Sequence, residues 1–295
     1  MQDYFVYQIG SLKIRMNQRI KYLDKYYLTL VNGEYDWVFE VKVSKNQIDH
    51  IIHNAKSPNI RDNIIYINDD CIYEMDISRK KSICYCANLL EFEASFIGAP
   101  IQVVALYCNK VCLHCSGIIH NKEIILFSGN SGVGKSTLMY NIRGDDFELF
   151  CDDMCMVEKG GNDYTAFCIE TFIKLYKNQI GNAKDIIKAN EDKYLVPIDY
   201  FGKSIQRTPY RLNRILFLSR YESKDFYIKK INSPSQKYIL CAQSIIFFNE
   251  RTPLITEKMR KYFIETIKNI DMGVLFVPNM IENCDYNSLK KLLDL

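Results

Sequence analysis

Over residues 1 to about 93, short runs of β-branched and aromatic residues alternate with polar ones between turn signals, and this pattern predicts strands. The clearest runs are Trp37-Val38-Phe39-Glu40-Val41-Lys42-Val43, then 64–67 and 71–75, the last two joined by a turn at Asn68-Asp69-Asp70. A helical period follows over about 90–107. A hairpin is expected next, with strands 111–119 and 123–128 flanking His120-Asn121-Lys122. From there the pattern becomes α/β. A helix from Ser136 to Gly144 leads to a strand over 147–151, and less regular chain runs to about Gln206. A strong apolar strand at 215–218 precedes a closing helix, strand and helix at about 253–270, 274–277 and 287–293. The change of pattern divides the chain into a strand-rich region, 1–100, and an α/β domain, 101–295. Neither an internal repeat nor a low-complexity linker marks the boundary.

Composition narrows the class. Of 295 residues 48% are apolar and 25% charged, the mix of an ordinary globular protein rather than a disordered one. Lys plus Arg exceed Asp plus Glu by 38 − 35 = 3, too small an excess to argue for nucleic acid or an anionic membrane as partner. Eleven cysteines, an odd number mostly inside apolar runs such as Ile83-Cys84-Tyr85-Cys86, read as reduced, buried thiols of a cytoplasmic protein. Met1-Gln2-Asp3-Tyr4 opens no charged and then apolar stretch, so no secretory signal is expected there. The longest apolar stretch, 96–108, is interrupted by Gly98, Pro100 and Gln102 and falls short of the roughly 20 residues of a membrane helix.

The chemistry begins at Gly129-Asn130-Ser131-Gly132-Val133-Gly134-Lys135-Ser136, which matches the G-x-x-x-x-G-K-[ST] phosphate-binding loop (Walker A) at every fixed position. The apolar run Ile124-Ile125-Leu126-Phe127 supplies the preceding strand, and Thr137 to Ile142 the following helix. Glycines let successive backbone N–H groups converge on phosphate oxygens, and the helix N-terminus adds partial positive charge. Lys135 is expected at the β- and γ-phosphates of ATP and Ser136 at Mg²⁺.

Chain geometry carries two acids to the same place. A helix of about nine residues rises roughly 13 Å, and the strand over 147–151 returns about 17 Å. Asp152 and Asp153 therefore reach the sheet edge that holds the loop, where one carboxylate can bind Mg²⁺ and the other can accept a proton. A strand-end turn is the plainer reading of the pair, as at Asp69-Asp70. With the hairpin turn centred on Asn121, residue i pairs with about 242 − i, which sets His114 opposite Ser128 at the loop's mouth. Cys112-Leu113-His114-Cys115 holds a C-x-x-C, but strand alternation points its thiols to opposite faces, which argues against zinc. His50 and His53, on a probable helix, lack a nearby third ligand.

The run from Leu113-His114 through Ser136 to Cys151-Asp152-Asp153 resembles the catalytic core of HPr kinase/phosphorylase over about 45 residues. The strand at 215–218 and Gly273-Val274-Leu275-Phe276 look more like the related peptide kinases of lasso-peptide gene clusters. The resemblance implies an α/β, PEP-carboxykinase-like P-loop core with a strand-rich N-terminal region. It also implies ATP and Mg²⁺ as cofactors and a peptide or small-protein serine as acceptor, and it is compatible with a homo-oligomer. By position, Asp153 would be the general base, Asp152 with Ser136 the metal ligands, and His114 their support. Thr137 stands where HPr kinases carry a glutamate, and their Gly-Arg-Asn signature is absent. Among Arg207, Arg211 and Arg214, Arg207 is the candidate cation for the transferred phosphoryl group, because its loop could fold over the nucleotide. Arg143 fits a last-turn residue complementing the helix dipole. A small-metabolite kinase on the same core and a non-catalytic ATP-binding switch remain the alternatives.

Overall fold

The structure is a computed structural model and describes residues 4–28, 34–54, 63–68, 71–144, 146–161, 163–170, 172–181, 186–188, 192–200, 209–222, 225–244, 257–279 and 284–293. The chain forms a mixed α/β fold of two compact units, Met1–Asn109 and Lys110–Leu295. The division falls after the helical stretch.

The first unit is a mixed sheet with helices. Its strands are β1 (Phe5–Ile9), β2 (Leu12–Met16), β3 (Tyr27–Leu28), β4 (Trp37–Val43), β5 (Asn63–Asn68), β6 (Cys71–Asp76) and β7 (Lys81–Cys86), and helix α1 (Lys45–Asn54) follows β4. Their order is β3-β1-β2-β4-β7-β6-β5. Alternation in β4 buries Trp37, Phe39 and Val41 on one face. The Trp37 indole N–H, which burial would otherwise leave unpaired, donates to Ser82 Oγ at 2.8 Å. The helical period at 90–107 resolves into two helices, α2 (Leu89–Phe96) and α3 (Ala99–Tyr107). Pro100 explains the break: inside one continuous helix it would have no N–H for the Phe96 carbonyl, whereas in the first turn of α3 none is required.

The second unit is built on a nine-stranded sheet. Strands β8 (Val111–Leu113), β9 (Cys115–His120) and β10 (Glu123–Ser128) precede helix α4 (Lys135–Ile142), then come β11 (Glu148–Cys151), β12 (Cys155–Gly160) and β13 (Asp163–Cys168). After them β14 (Phe172–Tyr176), β15 (Ile187–Lys188) and β16 (Lys193–Pro197) form a separate three-stranded sheet. The chain returns to the large sheet with β17 (Tyr210–Tyr221), β18 (Tyr227–Lys230), helices α5 (Pro234–Gln243) and α6 (Glu257–Ile267), β19 (Asp271–Pro278) and α7 (Tyr286–Leu293). Strand pairing runs β11-β9-β10-β17-β13-β12-β8, with β19 beside β17 and β18 beside β19. The stretch from Asp152 to Gln206, expected to be irregular, therefore carries five strands among its described residues. Their apolar positions are too few per strand to stand out along the sequence.

The hairpin also corrects its register. Glu123 pairs with His120 and Ser128 with Cys115, so partners sum to 243 and not 242. The loop is two residues, Asn121 and Lys122, both left-handed at φ 51° and 64°, the turn whose twist matches the flanking strands. Among the described residues no helix is long and apolar enough to cross a membrane.

Candidate active site

Strand β10 runs parallel to β17 and antiparallel to β9, which is in turn antiparallel to β11. The ends of β10 and β11 and the start of β9 therefore share one sheet edge. The chain leaves this edge from β10 through residues 129–134 into α4. Gly129 sits at φ +141°, and a Cβ there would lie 3.2 Å from the Leu218 carbonyl oxygen, so the turn off the sheet is strained and crowded for any side chain. Gly134 caps α4 at φ 104°, also left-handed. Lys135, the first residue of α4, folds back over the loop, its Nζ donating to the carbonyls of Gly129 at 2.9 Å and Asn130 at 3.3 Å. It is nearly buried, and desolvation lowers its pKa against the opposing pull of Asp153 and Asp152.

Across the edge, β11 ends at Cys151 and delivers Asp152 and Asp153. Asp152 is 4% exposed and receives hydrogen bonds from Ser116 Oγ at 3.1 Å and from the Lys174 backbone N–H at 3.3 Å, and Ser136 lines the same pocket. Burial raises its pKa, an effect that the neighbouring Asp153 charge reinforces and these hydrogen bonds oppose. Asp153 is more open. Its Oδ1 lies 2.8 Å from His114 Nε2 and its Oδ2 2.6 Å from Lys174 Nζ. Burial alone would raise its pKa, but the His114 hydrogen bond and the Lys174 charge outweigh it and hold the carboxyl well below the usual carboxylate range.

His114 therefore reaches the site by a route other than the expected one. Cys115, not His114, lies opposite Ser128. His114 occupies the gap between β8 and β9, its N–H bonded to the Ser244 carbonyl at 2.8 Å and its own carbonyl accepting from Ser128 Oγ at 3.3 Å. Leaving the ladder frees the imidazole to turn to Asp153. That break also voids the alternation argument for Cys112 and Cys115, which are both buried. Cys115 meets Cys151 and Cys155, the three Sγ atoms lying within 4.8 Å of one another, while Cys112 stays outside the group. Each of the three thiols is also placed to donate to a backbone carbonyl, that of Leu113, Cys115 or Met156, as packed core thiols do.

Arg211 and Arg214 lie away from the site. Arg207 lies outside the described residues. Arg211 pairs with Glu123 at the start of β10, and Arg214 with Asp271 at the start of β19, at the opposite edge of the sheet. Arg143 is the C-cap of α4, its guanidinium 3.5 Å from the Tyr140 ring centroid.

Together the loop, the acids and His114 line a pocket of about 570 Å³, whose remaining wall is Lys174, Tyr176, Gln179 and Lys193 from the three-stranded sheet and the turn after β14. These four, and Glu170 behind the acids, were missed by sequence reasoning. Hard oxygen donors on Ser136, Asp152 and Asp153 form a set suited to a divalent cation such as Mg²⁺.

No family model matches the chain, and no curated protein matches it. Among solved structures it is similar to the Hpr(Ser) kinase/phosphatase from Coxiella burnetii, with a TM-score of 0.37 and 11% sequence identity over 62% of this chain and 88% of that one. This weak likeness assigns no residue a role.

Proposed function

We propose that the chain is an ATP- and Mg²⁺-dependent kinase that phosphorylates a hydroxyl, with serine of a ribosomally made precursor peptide or small protein as acceptor. One observation carries the reading: Lys135 and Ser136, at the head of α4, and Asp152 and Asp153, just past the end of β11, line one pocket. Two segments distant in sequence thus present a loop of convergent backbone, a lysine and a hydroxyl–carboxylate pair to one pocket. That is the arrangement phosphoryl transfer requires, since positioning and charge neutralisation do most of its work. MgATP would supply the transferable phosphoryl group and a cation to neutralise its charge.

The chain's own residues then divide the tasks. Residues 129–137 hold the phosphates, with Lys135 turning from its loop carbonyls to their oxygens. Asp152 and Ser136 hold the metal. Asp153 accepts the proton of the acceptor hydroxyl as that oxygen bonds phosphorus and ADP departs, and His114 keeps the carboxylate oriented. A hydroxyl, whose pKa lies far above 7, benefits from such a base. Among the described residues the first unit's sheet ends in strands β3 and β5, and an extended peptide can add to an edge of this kind.

One observation favours a second reading, a nucleotide-occupied switch without chemistry: both Asp153 oxygens are already engaged, by His114 and Lys174. Incubation with labelled ATP, Mg²⁺ and candidate precursor peptides, followed by mapping of phosphate by mass spectrometry, separates the two. Phosphoserine on a peptide supports the kinase. Transfer only to a free metabolite moves the reading to a small-molecule kinase, and ATP binding with no transfer moves it to the switch.

A further inference from the structure

Asp152, Asp153 and Met154 lie between the end of β11 at Cys151 and the start of β12 at Cys155, where the sheet ladders stop. Three consecutive amides therefore need acceptors from outside the sheet, and water is a poor candidate, because Asp152 is 4% and Met154 2% exposed. Glu170 supplies them. Its Oε2 accepts from the Asp152 N–H at 2.7 Å, and its Oε1 accepts from the N–H groups of both Asp153 and Met154.

For stability alone this is an expensive choice. Glu170 is 2% exposed, and burial together with the neighbouring charges of Asp153 and Asp152 pushes its pKa well up, a shift that the N–H groups of the turn oppose. A carboxylate nevertheless does what a neutral acceptor cannot. When ionised, both of its oxygens only accept, so it matches three N–H groups at once, and even when protonated it keeps its second oxygen as an acceptor, whereas glutamine would turn an NH₂ donor toward one or more of them. Fixing three successive amides fixes the rotation of the turn, and with it the direction in which the Asp152 and Asp153 side chains leave the backbone. The charge of Glu170 also favours the cationic form of Lys174, the partner of Asp153.

We propose that Glu170 is a positioning residue, a buried carboxylate that clamps the 152–154 turn so that both acids face the pocket in a fixed geometry. The proposal rests on the kinase reading for its catalytic consequence, but the clamp itself can be measured without it.

The test compares the full chain with Glu170→Gln and Glu170→Asp. Amide hydrogen exchange is followed at Asp152, Asp153 and Met154, with the β9–β10 hairpin amides as an internal reference. Phosphoryl transfer is measured against Mg²⁺ concentration. In Glu170→Gln the three turn amides should lose protection while the hairpin keeps it. kcat should fall about 10- to 100-fold, the range typical of residues that orient metal ligands, with a higher Mg²⁺ requirement and little change in KM for ATP. Should Glu170→Gln not fold, Glu170→Asp, acceptor-only but shorter, is read by the same criteria. Unchanged protection at 152–154, protection lost equally across the hairpin, or wild-type kcat and Mg²⁺ dependence would each overturn the proposal. If the wild type transfers no phosphate at all, the kinase reading fails, and the exchange pattern alone decides whether Glu170 is the clamp.

Discussion

Lys174 Nζ lies 2.6 Å from Asp153 Oδ2, so the acid best placed to accept a proton is ion-paired. The pair sets the base's strength as well as its position, because a cation at hydrogen-bonding distance favours the ionised carboxylate. A base held below its usual range is ionised throughout the neutral region but has a lower proton affinity.

Lys174→Met should raise the Asp153 pKa, and the acidic limb of kcat/KM should move to higher pH. Stability follows the same sign. Asp153 is depressed below its ordinary 3.8, so its contribution is present above that value and is lost as pH falls through the folded-state pKa. Lys174 is raised above 10.5, so its contribution is present below that value and is lost as pH rises through its folded pKa. Denaturation of wild type and Lys174→Met across pH should differ most between these limits and converge in strong acid. An equal difference at every pH would show that the pair is not responsible.

The two aspartates should fail differently. Asp153→Asn is expected to lose roughly 10²- to 10⁴-fold in kcat, the usual worth of a positioned base, with MgATP affinity nearly unchanged. Asp152→Asn should raise the Mg²⁺ concentration needed for half-maximal rate. Single-turnover kinetics at varied Mg²⁺ distinguish them, and a reversed pattern would exchange the assignments.

Lys135→Ala removes a cation that already bridges two loop carbonyls. A charged hydrogen bond contributes about 1.5–3 kcal/mol, and MgATP affinity by calorimetry should fall accordingly. Wild-type affinity in the variant would mean that the phosphates lie elsewhere.

Gly129→Ala should destabilise the second unit by about 1–3 kcal/mol, because the φ of +141° is strained for any side chain and the new Cβ would crowd the Leu218 carbonyl. Gly132→Ala has open space around its Cβ, so its cost should come from its φ of +79° without a backbone clash. Thermal melts rank the two, and equal costs would refute the role assigned to the close approach at Leu218.

Local sequence determined whatever depends on neighbours along the chain. The loop motif, its strand and its helix are legible because glycines at 129, 132 and 134, a lysine and a hydroxyl must recur at fixed intervals for backbone to wrap an anion. Delivery of Asp152 and Asp153 to the loop's edge is legible because the rise of α4 and the return of β11 are fixed by helix and strand geometry. Tertiary structure decided the rest. The Asn121-Lys122 turn adopts two left-handed residues, which moved the register by one and put Cys115 opposite Ser128, and only the gap between β8 and β9 turned His114 to Asp153. Glu170 and Lys174 are ordinary charged residues in the sequence. They matter because a chain returning through β13 and β14 brings one carboxylate under three consecutive turn amides and one ammonium onto Asp153, and long-range pairing of that kind leaves no periodic trace in the residues that make it.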